Sequence, residues 1–128
     1  MNLSREDILQ IQNKKRAKTA LNLCIVMMVS DRVIASEELA KIYEIIKEDE
    51  LFQDAIPENS ELINLISEIQ QERSHSDLRT ITMKYSAIKN QETRVKILKF
   101  LDRIMFADGM VHEKEQEMLD LIRELWRD

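Results

Sequence analysis

Two short acidic segments carry the side chains of this sequence best suited to chemistry. They are Asp31-Arg32-Val33-Ile34-Ala35-Ser36-Glu37-Glu38 and, 77 residues later, Asp108-Gly109-Met110-Val111-His112-Glu113-Lys114-Glu115. In both, an Asp is followed seven residues on by a Glu. The second segment reproduces the latter half of an EF-hand calcium loop: an acid, a Gly for a sharp turn, a hydrophobe, and Glu at the last ligand position. The former half is missing. The upstream ligand positions hold Ile104 and Phe106 in one copy and Met27 and Val29 in the other, none of which offers calcium a side-chain oxygen. A conventional EF-hand is therefore not expected. A shared site remains open. If the two segments meet about a pseudo-twofold axis, Asp31, Glu38, Asp108 and Glu115 converge, and four carboxylates repel one another unless a cation or a basic group sits among them. That arrangement would take a divalent cation such as Ca²⁺. A purely structural reading stands beside it: Asp bonds local backbone N–H groups, Gly109 adopts positive φ, Val111 plugs the core, and Glu115 suits a helix first turn.

Other chemistries find little support. Zinc needs about four His, Cys or carboxylate ligands. Only His112, read as an exposed histidine in a helix first turn, stands near suitable acids; His75 falls in a polar loop. Paired carboxylates can serve a glycosidase, but the chain has few aromatic residues to line a sugar cleft. No nucleophile–base motif or Gly-rich phosphate loop is present, so no enzymatic activity is expected. Seven methionines read chiefly as core filler. Met27, Met28, Met105 and Met110 flank the two turns, however, and a soft apolar patch there would suit peptide or helix recognition.

The acidic segments must be positioned by the elements around them. Each follows an apolar run, and the runs align: Leu21 with Leu98, Leu23 with Phe100, Met28 with Met105. Beyond the turns, Ile34 aligns with Val111, Ile42 with Leu119 and Ile45 with Ile122. The chain thus contains one helix–acidic turn–helix unit twice, at about 17–46 and 94–123. One Gly and one Pro in 128 residues leave little room for strands joined by tight turns. We expect a single all-α domain over 1–128, with six or seven helices. Ser4 caps the first helix from about Arg5, and a break is expected near Asn13. Leu39, Ile42, Ile45, Ile46 and Phe52 form the apolar face of the second helix. Ser60 caps a third, with Leu62, Leu65, Ile66 and Ile69 inward. Leu78, Ile81, Tyr85 and Ile88 mark a fourth, Glu92 to Ala107 a fifth, and the last runs from about Glu113, burying Met118, Leu119, Ile122, Leu125 and Trp126. The units are expected to pack on each other, with the middle helices closing one side.

Composition narrows the function classes. Net charge is −5, and it is uneven: residues 1–30 carry five basic and two acidic side chains, residues 31–60 three basic and nine acidic. An acidic domain without a broad basic face disfavours nucleic acid. The basic knot Lys14-Lys15-Arg16-Lys18 reads as a solvated helix flank, or as a contact for an anionic membrane surface or acidic partner. No stretch reaches the ~20 apolar residues of a membrane span, and no signal-peptide pattern appears. The lone Cys24, inside an apolar run, reads as a small buried hydrophobe and agrees with a reducing compartment. The expected location is the cytoplasm.

The run Phe106-Ala107-Asp108-Gly109-Met110-Val111-His112-Glu113-Lys114-Glu115, with its weaker copy at Val29–Glu38, resembles the duplicated signature of the tellurite-resistance TerB family. That family includes the TerB-like domain of membrane-anchored DnaJ-type co-chaperones. The resemblance spans roughly 17–126. It implies an all-α duplicated domain in tellurite and chemical-stress systems, working with protein partners near the membrane and not as an enzyme. It also implies cation binding by Asp31, Glu38, Asp108 and Glu115. The first copy departs from the pattern. Arg32 stands where Gly is expected, and its guanidinium would neutralise neighbouring carboxylates; Ser30 replaces the usual Ala. The alternative function is a protein–protein adaptor or co-chaperone-type domain whose acidic turns are purely structural.

Overall fold

A computed structural model of the chain describes residues 2–31, 34–53 and 55–127. The described residues form six α-helices: α1 (Arg5–Met28), α2 (Ser36–Glu48), α3 (Asn59–His75), α4 (Leu78–Tyr85), α5 (Gln91–Met105) and α6 (Glu113–Leu125). A single 3₁₀ turn at Glu50–Phe52 follows α2, and no strand occurs among the described residues.

The first helix starts on a complete capping box. Ser4 Oγ accepts from the Asp7 N–H, and Asp7 Oδ2 accepts from the Ser4 N–H, both at 3.1 Å. The helix then runs unbroken through Asn13, contrary to the expected break; neither Gly nor Pro interrupts residues 5–28, and Asn alone does not end a helix held by tertiary packing. From Leu21 to Val29 only Asn22 keeps partial exposure. An α-helical stretch buried all round must lie at the centre of its domain, and the second half of α1 does: α1 packs against α5, α3, α4, α2 and α6. The apolar run that is half the length of a membrane span is therefore the core helix. Cys24 is buried there, and burial pushes its thiol up to about 12, so it packs as a hydrophobe and does not react.

Duplication is visible in the element bounds. Helices α1 and α5 end 77 residues apart, at Met28 and Met105, and α2 and α6 begin 77 apart, at Ser36 and Glu113, each 13 residues long. The caps match too. Val29 and Phe106 have φ/ψ of −98/8 and −97/7, and the N–H of each reaches the equivalent carbonyls, those of Ile25 and Met27 and those of Asp102 and Ile104. Helix α2 packs on both long helices, chiefly α5, while α6 packs on α4 as well as on α5 and α1. Ion pairs hold one such contact at the rim: Lys96 Nζ lies 3.0 Å from Asp49, and Arg103 3.0 Å from Glu48.

The middle helices depart from expectation in detail. Helix α3 begins at Asn59 with Glu58 at its N-cap and no side-chain cap bond, so Ser60 is inside the helix and not its cap. Leu65 and Ile66 are only half-buried. Helix α4 ends at Tyr85, and Ile88 enters the core from the following loop. Phe52 is buried from the 3₁₀ turn and not from α2, against Phe100 at a ring distance of 6.0 Å. At the C-terminus Leu125 is exposed and Trp126 is buried instead, its indole N–H donating to the Ser86 carbonyl at 2.8 Å. The indole needs a partner when buried; this bond supplies it and anchors the last helix.

Candidate cation site between the acidic turns

The third residue of α2 is Glu38 and the third of α6 is Glu115. Both should be exposed by type, since a glutamate is almost never fully buried without a partner. Both are buried, at 3% and 1% relative exposure. Helices α2 and α6 are related by the duplication, and each carries its glutamate into the same interior site, where the two carboxyl groups act on each other. Among the described residues, no N–H or hydroxyl donates to Glu38 Oε2 or to either oxygen of Glu115. A proton held between the pair would satisfy them in part.

Burial, the bond to Glu38 and repulsion from Glu38, Asp31 and Asp108 push Glu115 up to about 9. Glu38 is also raised, mainly by burial and by repulsion from Asp31 and Asp108, with its bond to Glu115 opposing. At neutral pH Glu115 therefore holds a proton. Two adjacent carboxyls in a dry site cannot both ionise cheaply.

The aspartates stand at the rim. Asp31 is half-buried in the turn after α1, close enough to act electrostatically on both glutamates and on His112. Asp108 receives two bonds: its Oδ1 accepts from the Met110 N–H at 3.0 Å, and its Oδ2 lies 2.8 Å from His112 Nε2. The His112 bond, then the Met110 N–H, hold Asp108 below the usual carboxylate range, and the same Asp108 bond raises His112. His112 is not the exposed first-turn residue expected. It is the N-cap residue of α6, partly buried, and it also approaches Glu115 Oε1 at 3.9 Å. The structure thus brings Glu38 and Glu115 together and sets Asp31 and Asp108 around them. Among the described residues, no three His, Cys, Asp or Glu side chains are gathered as one metal ion would hold them. The orphaned oxygens of the glutamate pair suit a cation; Asp108 is committed to His112.

Turn geometry accounts for Gly109. Its φ is +77°, a conformation that costs an L side chain about 1 kcal/mol. A Cβ there would meet nothing within 4 Å, so the cost is backbone strain alone. Gly109→Ala and Gly109→Val should therefore each lower stability by about 1 kcal/mol. Denaturant midpoints that differ widely between the two variants would show a steric contribution instead. Val111 does not plug the core: it is exposed, as are Phe106 and Met110. The equivalent of Phe106 in the first unit, Val29, is fully buried. Arg32, the expected internal counter-charge, lies outside the described residues.

One buried charged side chain that local sequence does not single out is Arg73, near the end of α3. It is 5% exposed, and its Nε donates to the Ser30 carbonyl at 3.0 Å while its Nη1 donates to the Ser76 carbonyl at 3.1 Å. It ties the middle helices to the residue preceding Asp31. Nothing in the local sequence Glu72-Arg73-Ser74-His75 separates this arginine from a surface one.

A family model described as "Tellurite resistance protein TerB" matches residues 17–127. No curated protein and no solved structure matches the chain.

Proposed function

Given that the chain belongs to the tellurite-resistance TerB family, we propose that it is a non-enzymatic cytoplasmic stress-response module that takes a divalent cation, Ca²⁺ or similar, between its duplicated acidic turns. The observation carrying this reading is the buried glutamate pair, one carboxyl from each repeat unit, with oxygens that no donor among the described residues satisfies. A buried polar group without a partner costs about 1–3 kcal/mol, more when charged. A cation seated on Glu38 and Glu115 would satisfy those oxygens, and Asp31 and Asp108 at the rim would complete its ligands on leaving their present partners. No helix among the described residues is long and apolar enough to cross a membrane, and a protein partner would carry the response onward.

Proton release tests the reading. Because the pair holds a proton at neutral pH, a cation entering it must displace that proton. Calorimetric titration of chelator-treated protein at pH 7.5, in buffers of differing ionisation enthalpy, should give about one proton released per Ca²⁺, Mg²⁺ or Mn²⁺ bound. Absence of heat and of any melting shift at millimolar metal would remove the cation and leave the second reading. That second reading is a protein–protein adaptor with structural acidic turns, and it is favoured by the exposed Phe106, Met110 and Val111 on the second turn.

A further inference from the structure

The first turns of α1 lie outside the family match, which begins at residue 17. Every residue from Asn2 to Gln12 is exposed, yet the segment holds Leu3, Ile8, Leu9 and Ile11, each about half exposed. It is not frayed chain: its capping box is complete, and the helix is continuous into the core. At 100° per residue, Ile8, Leu9 and Ile11 share one half of the circumference with Arg5, Lys15, Arg16 and Lys18. Glu6 and Asp7 fall on the other half, with the core-facing Ala17, Ala20 and Leu21. A preformed helix with three aliphatic and four basic side chains on its carboxylate-free half has the chemistry of an interfacial anchor for anionic lipid.

We propose that this projecting end of α1 docks on an anionic membrane surface, with Ile8, Leu9 and Ile11 entering the headgroup boundary and Arg5, Lys15 and Lys18 engaging lipid phosphates. Charge supports the assignment. Residues 1–18 hold five basic and two acidic side chains, against 14 and 22 in the remainder, so the positive charge of an acidic protein is gathered where the aliphatics are exposed. The free part, Arg5 to Gln12, stands about 12 Å long, beyond the ~8 Å over which physiological salt screens the acidic body. Area argues against a second copy as the occupant. Two helical turns fall far short of the ~800 Å² per partner of a stable protein interface, whereas lipid binding sums small apolar and electrostatic contributions without a fixed partner shape. The proposal is independent of the cation site.

The test is sedimentation of the full chain, in chelator, with vesicles of phosphatidylcholine alone or mixed with phosphatidylglycerol. Binding is expected only to the anionic vesicles and should weaken as salt rises. The triple variant Arg5→Gln/Lys15→Gln/Lys18→Gln should lower partitioning by about a hundredfold, and Ile8→Gln/Ile11→Gln should also lower it strongly with helicity unchanged by circular dichroism. All five positions are exposed, outside the core, so the variants should fold. No difference between the two vesicle types, or binding untouched by both variants, overturns the proposal. So does a lipid-free, concentration-dependent dimer in the ultracentrifuge that Ile8→Gln/Ile11→Gln abolishes, which would assign the face to a second copy.

Discussion

In chelator, wild-type protein is expected to lose about 5 °C or more of melting temperature between pH 6 and pH 9, and Glu115→Gln is expected to lose much less. The sign follows from the glutamate pair. Glu115 titrates at about 9 in the folded chain and near 4.3 when unfolded. Between those values the native state holds a proton that the unfolded chain has released, so stability is highest at the acidic end of the window and falls as pH rises towards 9. Beyond it, two adjacent buried carboxylates both carry charge. Glutamine has the same shape, no titration, and an amide N–H to donate to Glu38. The variant should therefore match or exceed wild type at pH 9. His112 contributes in the same direction: Asp108 raises it, so its ion pair is complete below about 6.5 and is lost as pH passes through the raised value. That contribution is common to wild type and Glu115→Gln, and the difference between their pH profiles isolates the glutamate. A flat difference across pH 6–9 would mean that the pair holds no shared proton. If a cation then restores wild-type stability at pH 8–9 but leaves Glu115→Gln unmoved, the same carboxyl is both proton holder and ligand.

The readable part of this molecule was whatever the duplication encodes. Spacing alone placed the start of α6, the end of α5 to within two residues and the positive φ of Gly109, because a repeated apolar register fixes helix phase, and a lone Gly at a helix exit has few other uses. The same spacing named Glu38 and Glu115 but ranked them equally with Asp31 and Asp108. Which pair is buried depends on how α2 and α6 cross the opposite units, and that crossing is a property of tertiary packing. The asymmetries were harder still. Val29 and Phe106 occupy equivalent positions, one buried and one exposed, because α3 and α4 pack on α1, whereas α5 packs on neither. No residue within either turn announces that difference.

Arg73→Met should destabilise the protein by about 2–3 kcal/mol, and the damage should be confined to one of two otherwise equivalent turns. The guanidinium is buried and donates to two backbone carbonyls on different segments, Ser30 at the exit of α1 and Ser76 after α3. Methionine fills similar space but leaves both acceptors without that donor, and hydrogen bonds to a charged group are worth more than neutral ones. Arg73→Lys should recover only part of the loss, since one ammonium on a flexible stem does not reproduce a planar fork spanning two carbonyls. Hydrogen exchange distinguishes this from general loosening. In Arg73→Met, peptides covering 26–38 should exchange faster while those covering 103–115 keep their protection, because the bond to the turn exit is specific to the first unit. Uniform acceleration in both turns would make Arg73 a global packing residue. Exchange limited to 26–38 would instead establish that the duplicated turns are held by different means, the first by the arginine of a neighbouring helix and the second by its own His112–Asp108 pair.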